Sequence, residues 1–177
     1  MALKAYKKEM SQVINLLKED KVNLRNIRKL LNELHNNEFN FNSKYYLGKT
    51  LLHYALENDC EKIIPIVINY GCNPNICDDS YMTPLHVAVT KGNIVAVKML
   101  IKKGADVNMG GEFEQTPLHL AVICGNLKIT KLLINFGADV QLVDEKNLSV
   151  LDYAKDEKNN VIIEYLRKKF NIQKGEE

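Results

Sequence analysis

Residues 82–93 read MTPLHVAVTKGN, and residues 115–126 read QTPLHLAVICGN. The same phrase returns, and it is part of a longer series. TLLHYA starts at Thr50, TPLHVA at Thr83, TPLHLA at Thr116 and SVLDYA at Ser149, and every step between them is equal. A second landmark keeps the same step: GCNPN from Gly71, GADVN from Gly104 and GADVQ from Gly137, with EFNFN from Glu38 as a degenerate earlier copy. Two landmarks locked to one period without insertions confine the chain to a stack of small equivalent units.

The chemistry of one unit follows from its residues. Thr83 suits a helix N-cap, because its hydroxyl can accept from an orphan amide of the first turn. Pro84 then falls at the first helical position, where its missing N–H costs nothing. His86 can reach back to the cap residue. Leu85, Ala88 and Val89 form the apolar face of a short helix, and Gly92 and Asn93 end it. IVAVKMLIKK at 94–103 predicts a second helix that is apolar nearly all round and must be covered on several sides. Gly104 closes it. Asp106, Asn108, Gly110 and Gly111 lead through an extended loop to the next unit. Two short helices cannot bury so much apolar surface alone, whereas stacked copies can.

This pattern resembles the ankyrin repeat family, whose units are about 33 residues long and carry a TPLH-x-A signature. The resemblance is dense in the repeats at Thr83 and Thr116, good from Thr50, and weaker from Ser149. It implies an all-α solenoid of about four helix-turn-helix units starting near 45, 78, 111 and 144 within residues 38–170. Residues 1–37 would be an N-terminal helical cap or degenerate repeat, with helices at 5–20 and 24–36, or else a separate element that binds a partner. The last unit ends in a helix at 161–170 with Arg167, Lys168 and Lys169 on its polar side, and residues 171–177 read as a frayed tail.

Departures from the pattern carry expectations of their own. The glycine two residues before the signature threonine is Gly48 in the first unit but Tyr81, Glu114 and Asn147 in the others. Those loop tips should be less regular, or Asn147 should take the left-handed conformation itself. Asp59 replaces the glycine between the first unit's helices. Pro65 falls early in that unit's second helix, so its first turn should be distorted unless the helix starts late.

The family resemblance implies recognition of a protein partner through loop tips and the ends of the inner helices. Projected onto this sequence, the tips are Tyr45, Tyr46 and Lys49; Asp79, Ser80 and Met82; Glu112, Phe113 and Gln115; and Glu145, Lys146 and Leu148. The inner-helix ends are Glu57 and Asn58, Thr90 and Lys91, and Ile123 and Cys124. Exposed aromatic residues and Met are frequent interface anchors, which singles out Tyr45, Tyr46, Met82 and Phe113. The opposing reading is that these side chains fold back onto the neighbouring loop.

Other functions find little support. No GxSxG, HExxH, GxxxxGK[ST] or GxGxxG motif occurs, so no catalytic residue or cofactor is expected. His53, His86 and His119 recur one unit apart, about 10 Å, too far for one zinc with bonds of about 2 Å. They read as structural, and no metal site is expected. Cys60, Cys72, Cys77 and Cys124 form no CxxC pair and read as free thiols. With 24 basic and 22 acidic residues the formal charge is +2. That balance, and the acids mixed among the N-terminal lysines, argue against nucleic acid or membrane as partner. MALKAYKKEM lacks the apolar core of a signal peptide, and no run approaches the roughly 20 residues that span a bilayer. The expectation is a soluble, cytoplasmic, monomeric scaffold without a small-molecule substrate. It would act as adaptor or competitive inhibitor, or alternatively as a structural subunit of an oligomer. Heavy use of Lys, Asn and Ile, whose codons are AT-rich, suggests an intracellular bacterium or symbiont as source and a host protein as target.

Overall fold

The computed structural model describes residues 11–17, 23–37 and 39–171. Expectations for residues 1–10, 18–22, Glu38 and 172–177, including the outer parts of the helix at 5–20 and most of the tail, lie outside them. Among the described residues the order is α1 (11–17), α2 (Leu24–Asn36), α3 (Leu51–Glu57), α4 (Ile64–Asn69), α5 (Pro84–Thr90), α6 (Ile94–Lys102), α7 (Pro117–Ile123), α8 (Leu127–Asn135), α9 (Val150–Asp156) and α10 (Asn160–Phe170). The chain is helical as expected, and an isolated bridge between Val143 and Ser149 is the β-pairing among the described residues.

The helices form two layers. The inner layer stacks α3, α5, α7 and α9 in sequence, and each packs on the outer helix of its own unit. The outer layer runs α4, α6, α8 and becomes sparse between α8 and α10. Leu51, Leu85 and Leu118 are fully buried on the inner helices, as are Val97, Leu100, Ile129, Leu133 and Ile162 on the outer ones. Each such side chain contributes about 1.5–3 kcal/mol by leaving water. On α2, Leu24, Ile27, Leu30, Leu31 and Leu34 make one apolar stripe; Ile27, Leu31 and Leu34 are fully buried and Leu24 and Leu30 partly so, all in one core with α3.

Capping explains where the helices start. Thr83 and Thr116 accept from the amides of His86 (3.4 Å) and His119 (3.5 Å), with proline at the first helical position. The outer helices α6, α8 and α10 are capped by Asn93, Asn126 and Asn159, whose side chains accept from Ala96, Ile129 and Ile162. In the first unit Cys60 stands where those asparagines stand and makes no side-chain cap bond. The chain there runs through a 3-10 turn, Glu61–Ile63, and α4 begins only at Ile64, with Pro65 in its first turn. The helix starts late, so the proline loses no intrahelical bond.

Candidate functional site

Every loop tip is closed by the same backbone bond, from the residue five before the signature threonine to the residue just before it. The pairs are Tyr45 to Lys49 (2.9 Å), Asp78 to Met82 (2.9 Å), Gly111 to Gln115 (2.9 Å) and Asp144 to Leu148 (3.1 Å). The tips then divide into two kinds. In the second and fourth units the first residue is an aspartate. Asp78 Oδ1 accepts from the amides of Ser80 and Met82, and Asp144 Oδ1 from those of Lys146 and Leu148. In the first and third units that acceptor is missing, and the third tip residue turns left-handed instead: Leu47 at φ 59° and Phe113 at φ 56°. Their carbonyls accept from the next tip, Leu47 from Asp79 N and Phe113 from Glu145 N, both at 3.0 Å. The tips are thereby joined in two pairs, first to second and third to fourth.

The expected irregularity at the missing glycines is not found. Tyr81, Glu114 and Asn147 hold φ of 59°, 58° and 58°, beside 67° at Gly48. The closing bond and the capping residue, a buried threonine or the half-buried Ser149, fix both ends of the tip, and they override the steric preference of the residue between. Asn147 is left-handed as its side chain favours. Asp59 likewise takes φ 53° at the interhelix turn.

A histidine seam anchors the tips to the core. His53, His86 and His119 are fully buried. His86 Nδ1 accepts from Thr83 N (3.1 Å), which makes Nε2 the protonated nitrogen, and Nε2 donates to Gln115 O of the next tip (3.1 Å). His53 does the same with Thr50 N and with Met82 O at 2.9 Å. Burial holds all three rings below the ordinary imidazole value, His86 at about 4. The His119 ring lies near the Leu148 carbonyl, but its Nε2 closes no hydrogen bond. The third junction uses another link: Gln115 Nε2 donates to Tyr153 OH (2.8 Å), which donates to Asp144 Oδ2 (2.6 Å). Burial tends to raise the Asp144 pKa, but the bonds from Tyr153, Leu148 and Lys146 outweigh it, and the net shift is downward. In the last unit Asp152 takes the histidine's place and caps Ser149 N at 2.8 Å.

Asparagines one repeat apart build a second seam. Asn42, Asn75 and Asn108 each donate to a glycine carbonyl one unit on, Gly71, Gly104 and Gly137. Each also accepts, from Asn73, Asp106 and Asp139. Gln141 stands at the next step, and among the described residues its side chain makes no such bond.

On this frame the candidate residues fall into groups. Tyr46, Leu47, Tyr81 and Phe113 leave 78, 50, 68 and 55% of their surface in water, and Leu148 is also exposed. Asp79, Ser80, Glu112, Glu145 and Lys146 are exposed polar neighbours on the same tips. Tyr45 is half-buried against the core, and burial raises its phenol pKa. Met82 and Gln115 are half-buried with their carbonyls held by the histidines. Lys49 and Glu57 pair with each other (2.6 Å), while Lys91 reaches Glu57 O (2.8 Å) and Asp59 (3.6 Å). Asn58 bonds back to Tyr54 O, and Thr90 to the carbonyls of His86 and Val87. Ile123 is half-buried and Cys124 exposed. In the sequence neither Leu47 nor Tyr81 was named as a contact residue, Tyr81 entering only as a missing glycine. Their place in the repeat frame was the available signal, since it puts both at a tip.

Among the described residues no three His, Cys, Asp or Glu gather as metal ligands, and no helix is long and apolar enough to cross a membrane. Comparison with known families gives two matches. Residues 19–111 match ankyrin repeats in three copies, and residues 100–154 match ankyrin repeats in many copies. No curated protein matches the chain. More than half of the sequence falls within the first match alone, and the chain belongs to the ankyrin-repeat family.

Proposed function

We propose that this chain is a non-catalytic adaptor or competitive inhibitor that captures a protein partner on its row of loop tips. Ankyrin repeats are in general protein–protein interaction modules. The observation that carries the reading is the cost of the tips. Leu47, Tyr81 and Phe113 put large apolar side chains into water on left-handed backbone, which a non-glycine residue holds at about 1–2 kcal/mol each. The backbone of Leu47 and Phe113 serves the tip-to-tip bonds, but the exposed apolar side chains add nothing to the fold, whereas an interface gains apolar anchors on a rigid base. Lys49 is paired with Glu57 inside the first unit, and Lys91 bridges the second unit to Glu57 and Asp59 of the first, so the contact surface centres on the exposed tip side chains. We read the N-terminal helices as a cap, since the apolar stripe of α2 is taken up by the core. The AT-rich residue usage supports a target in a host cell.

The test replaces Leu47, Tyr81 and Phe113 together by Asn, which tolerates the left-handed region. Affinity capture with quantitative mass spectrometry compares the two proteins against source-cell and host-cell extracts. Proteins enriched by the wild type and lost from the triple variant, at equal or higher thermal stability, support the reading. Identical captured sets refute it. A second reading, a fixed subunit of an assembly, is favoured by Val161 and Phe170 exposed on α10. Light scattering decides it, since an obligate assembly would not run at 20.2 kDa.

A further inference from the structure

The near-neutral charge of the chain hides a segregation. Across the segments holding the tips and inner helices, 45–58, 78–91, 111–124 and 144–157, there are ten carboxylates against four cations. Across the outer-helix segments, 61–70, 94–103, 127–136 and 160–170, there are nine cations against two carboxylates. The inner cations are partly spent: Lys49 pairs with Glu57, and Lys91 with Asp59. At the tips the exposed acids stand beside the exposed rings. Asp79 shares a tip with Tyr81, and Glu112 and Glu114 flank Phe113 in sequence, with Glu145 on the adjoining tip.

We propose that the tip row takes a cationic segment of its partner, an Arg- or Lys-rich stretch whose stems lie on Tyr81 and Phe113. The inference rests on the protein-capture reading and names the chemistry of what is captured. A cation over an aromatic face is held by the ring's quadrupole, and arginine also stacks on it. The carboxylates beside the rings supply the opposite charge and steer encounter, and the basic outer helices repel the same segment from the back of the molecule. Acidic partners meet the reverse field, so the segregation selects as well as attracts.

A random peptide library displayed on phage, panned against the immobilised full chain, tests this without knowledge of the partner. Recovered peptides are synthesised and measured by fluorescence anisotropy against three proteins. These are the wild type, the carboxylate variant Asp79→Asn/Glu112→Gln/Glu114→Gln/Glu145→Gln, and the ring variant Tyr81→Asn/Phe113→Asn. The expected peptides are enriched in Arg and Lys, weaken at least tenfold in both variants, and weaken further between 50 and 300 mM salt as a charge-driven contact should. Peptides that lose binding in the ring variant but are neutral or acidic, and are indifferent to the carboxylates, overturn this inference and leave protein capture at the tips standing. Peptides indifferent to both variants, or no binders at all, overturn both. Thermal melts of the three proteins show whether any loss is a folding defect. In that case the single exposed changes Glu112→Gln and Glu145→Gln replace the fourfold variant, and an unchanged affinity for basic peptides in both of them refutes the inference.

Discussion

Mild acid should loosen this stack through its buried histidines, and His86 gives the size of the effect. Burial opposes the charged ring in the folded chain, and its Nδ1 faces the Thr83 amide, so a proton there would also set two donors against each other. Its pKa falls from 6.5 to about 4. A histidine depressed in this way is neutral when folded and ready to protonate when unfolded. Its contribution is complete above pH 6.5 and is lost as pH falls from 6.5 towards 4. At pH 5 the unfolded ring is favoured by about 30-fold, or about 2 kcal/mol, and below pH 4 the loss approaches about 3 kcal/mol. The comparison is with His86→Gln, which does not titrate and whose amide oxygen can take the Thr83 N–H in a capping box. Urea unfolding at pH 7.5 should find the variant less stable by about 1–2 kcal/mol, for the lost bond to Gln115 O. At pH 5 the gap between the two proteins should shrink by about 2 kcal/mol and vanish or reverse. An equal gap at both pH values would refute the reasoning. Asp144 and Asp152 are depressed carboxylates, so their contribution goes only as pH falls below 3.8, outside this window.

The tips and seams make further predictions. Phe113→Asn should raise stability by about 1 kcal/mol in urea unfolding, by relieving left-handed strain at φ 56°, while Phe113→Val lowers it. Gly48→Ala should cost well over the ~1 kcal/mol of φ strain alone, because its Cβ would lie 2.1 Å from Asp79 Oδ1 and 2.7 Å from Asp79 N. Gly104→Ala, with no atom within 4 Å, should cost only the strain, and the two variants compared by thermal melts check it. Native-state hydrogen exchange should find the amides of α9 and α10 opening before those of α5 to α8, since the third junction lacks both the histidine and the asparagine link.

The fixed period made the fold legible, because it assigns each residue an environment before any propensity is weighed. Thr83, Pro84 and His86 could be placed as cap, first turn and reach-back from residue type and spacing, and Pro65 could be marked as disturbing the start of its helix, where the structure has a 3-10 turn. The tip conformations were not legible. Tyr81 and Glu114 look unfit for a left-handed position, and only the closing bond and the buried threonine hold them there. The candidate surface was legible in outline, as with Tyr46 and Phe113. Exposure is a property of the stack, however, and so Leu47 was not read as a surface residue and Tyr81 was read only as a missing glycine. The pairing of Lys49 with Glu57 joins a tip to a helix end, and that of Lys91 with Asp59 joins two different units, which no local pattern announces.

The missing links at the third junction also have a mechanical meaning. A rod pinned twice at each of its first joints and otherwise at its last will flex at that last joint. The first three units would move as one stiff jaw, while α9 and α10 swing against it, pivoting on the Gln115–Tyr153–Asp144 chain and on the bond from Glu145 N to Phe113 O. Such a body can close on targets of slightly different girth by swinging the fourth unit, with Glu145, while the three tips that carry the apolar anchors keep their spacing.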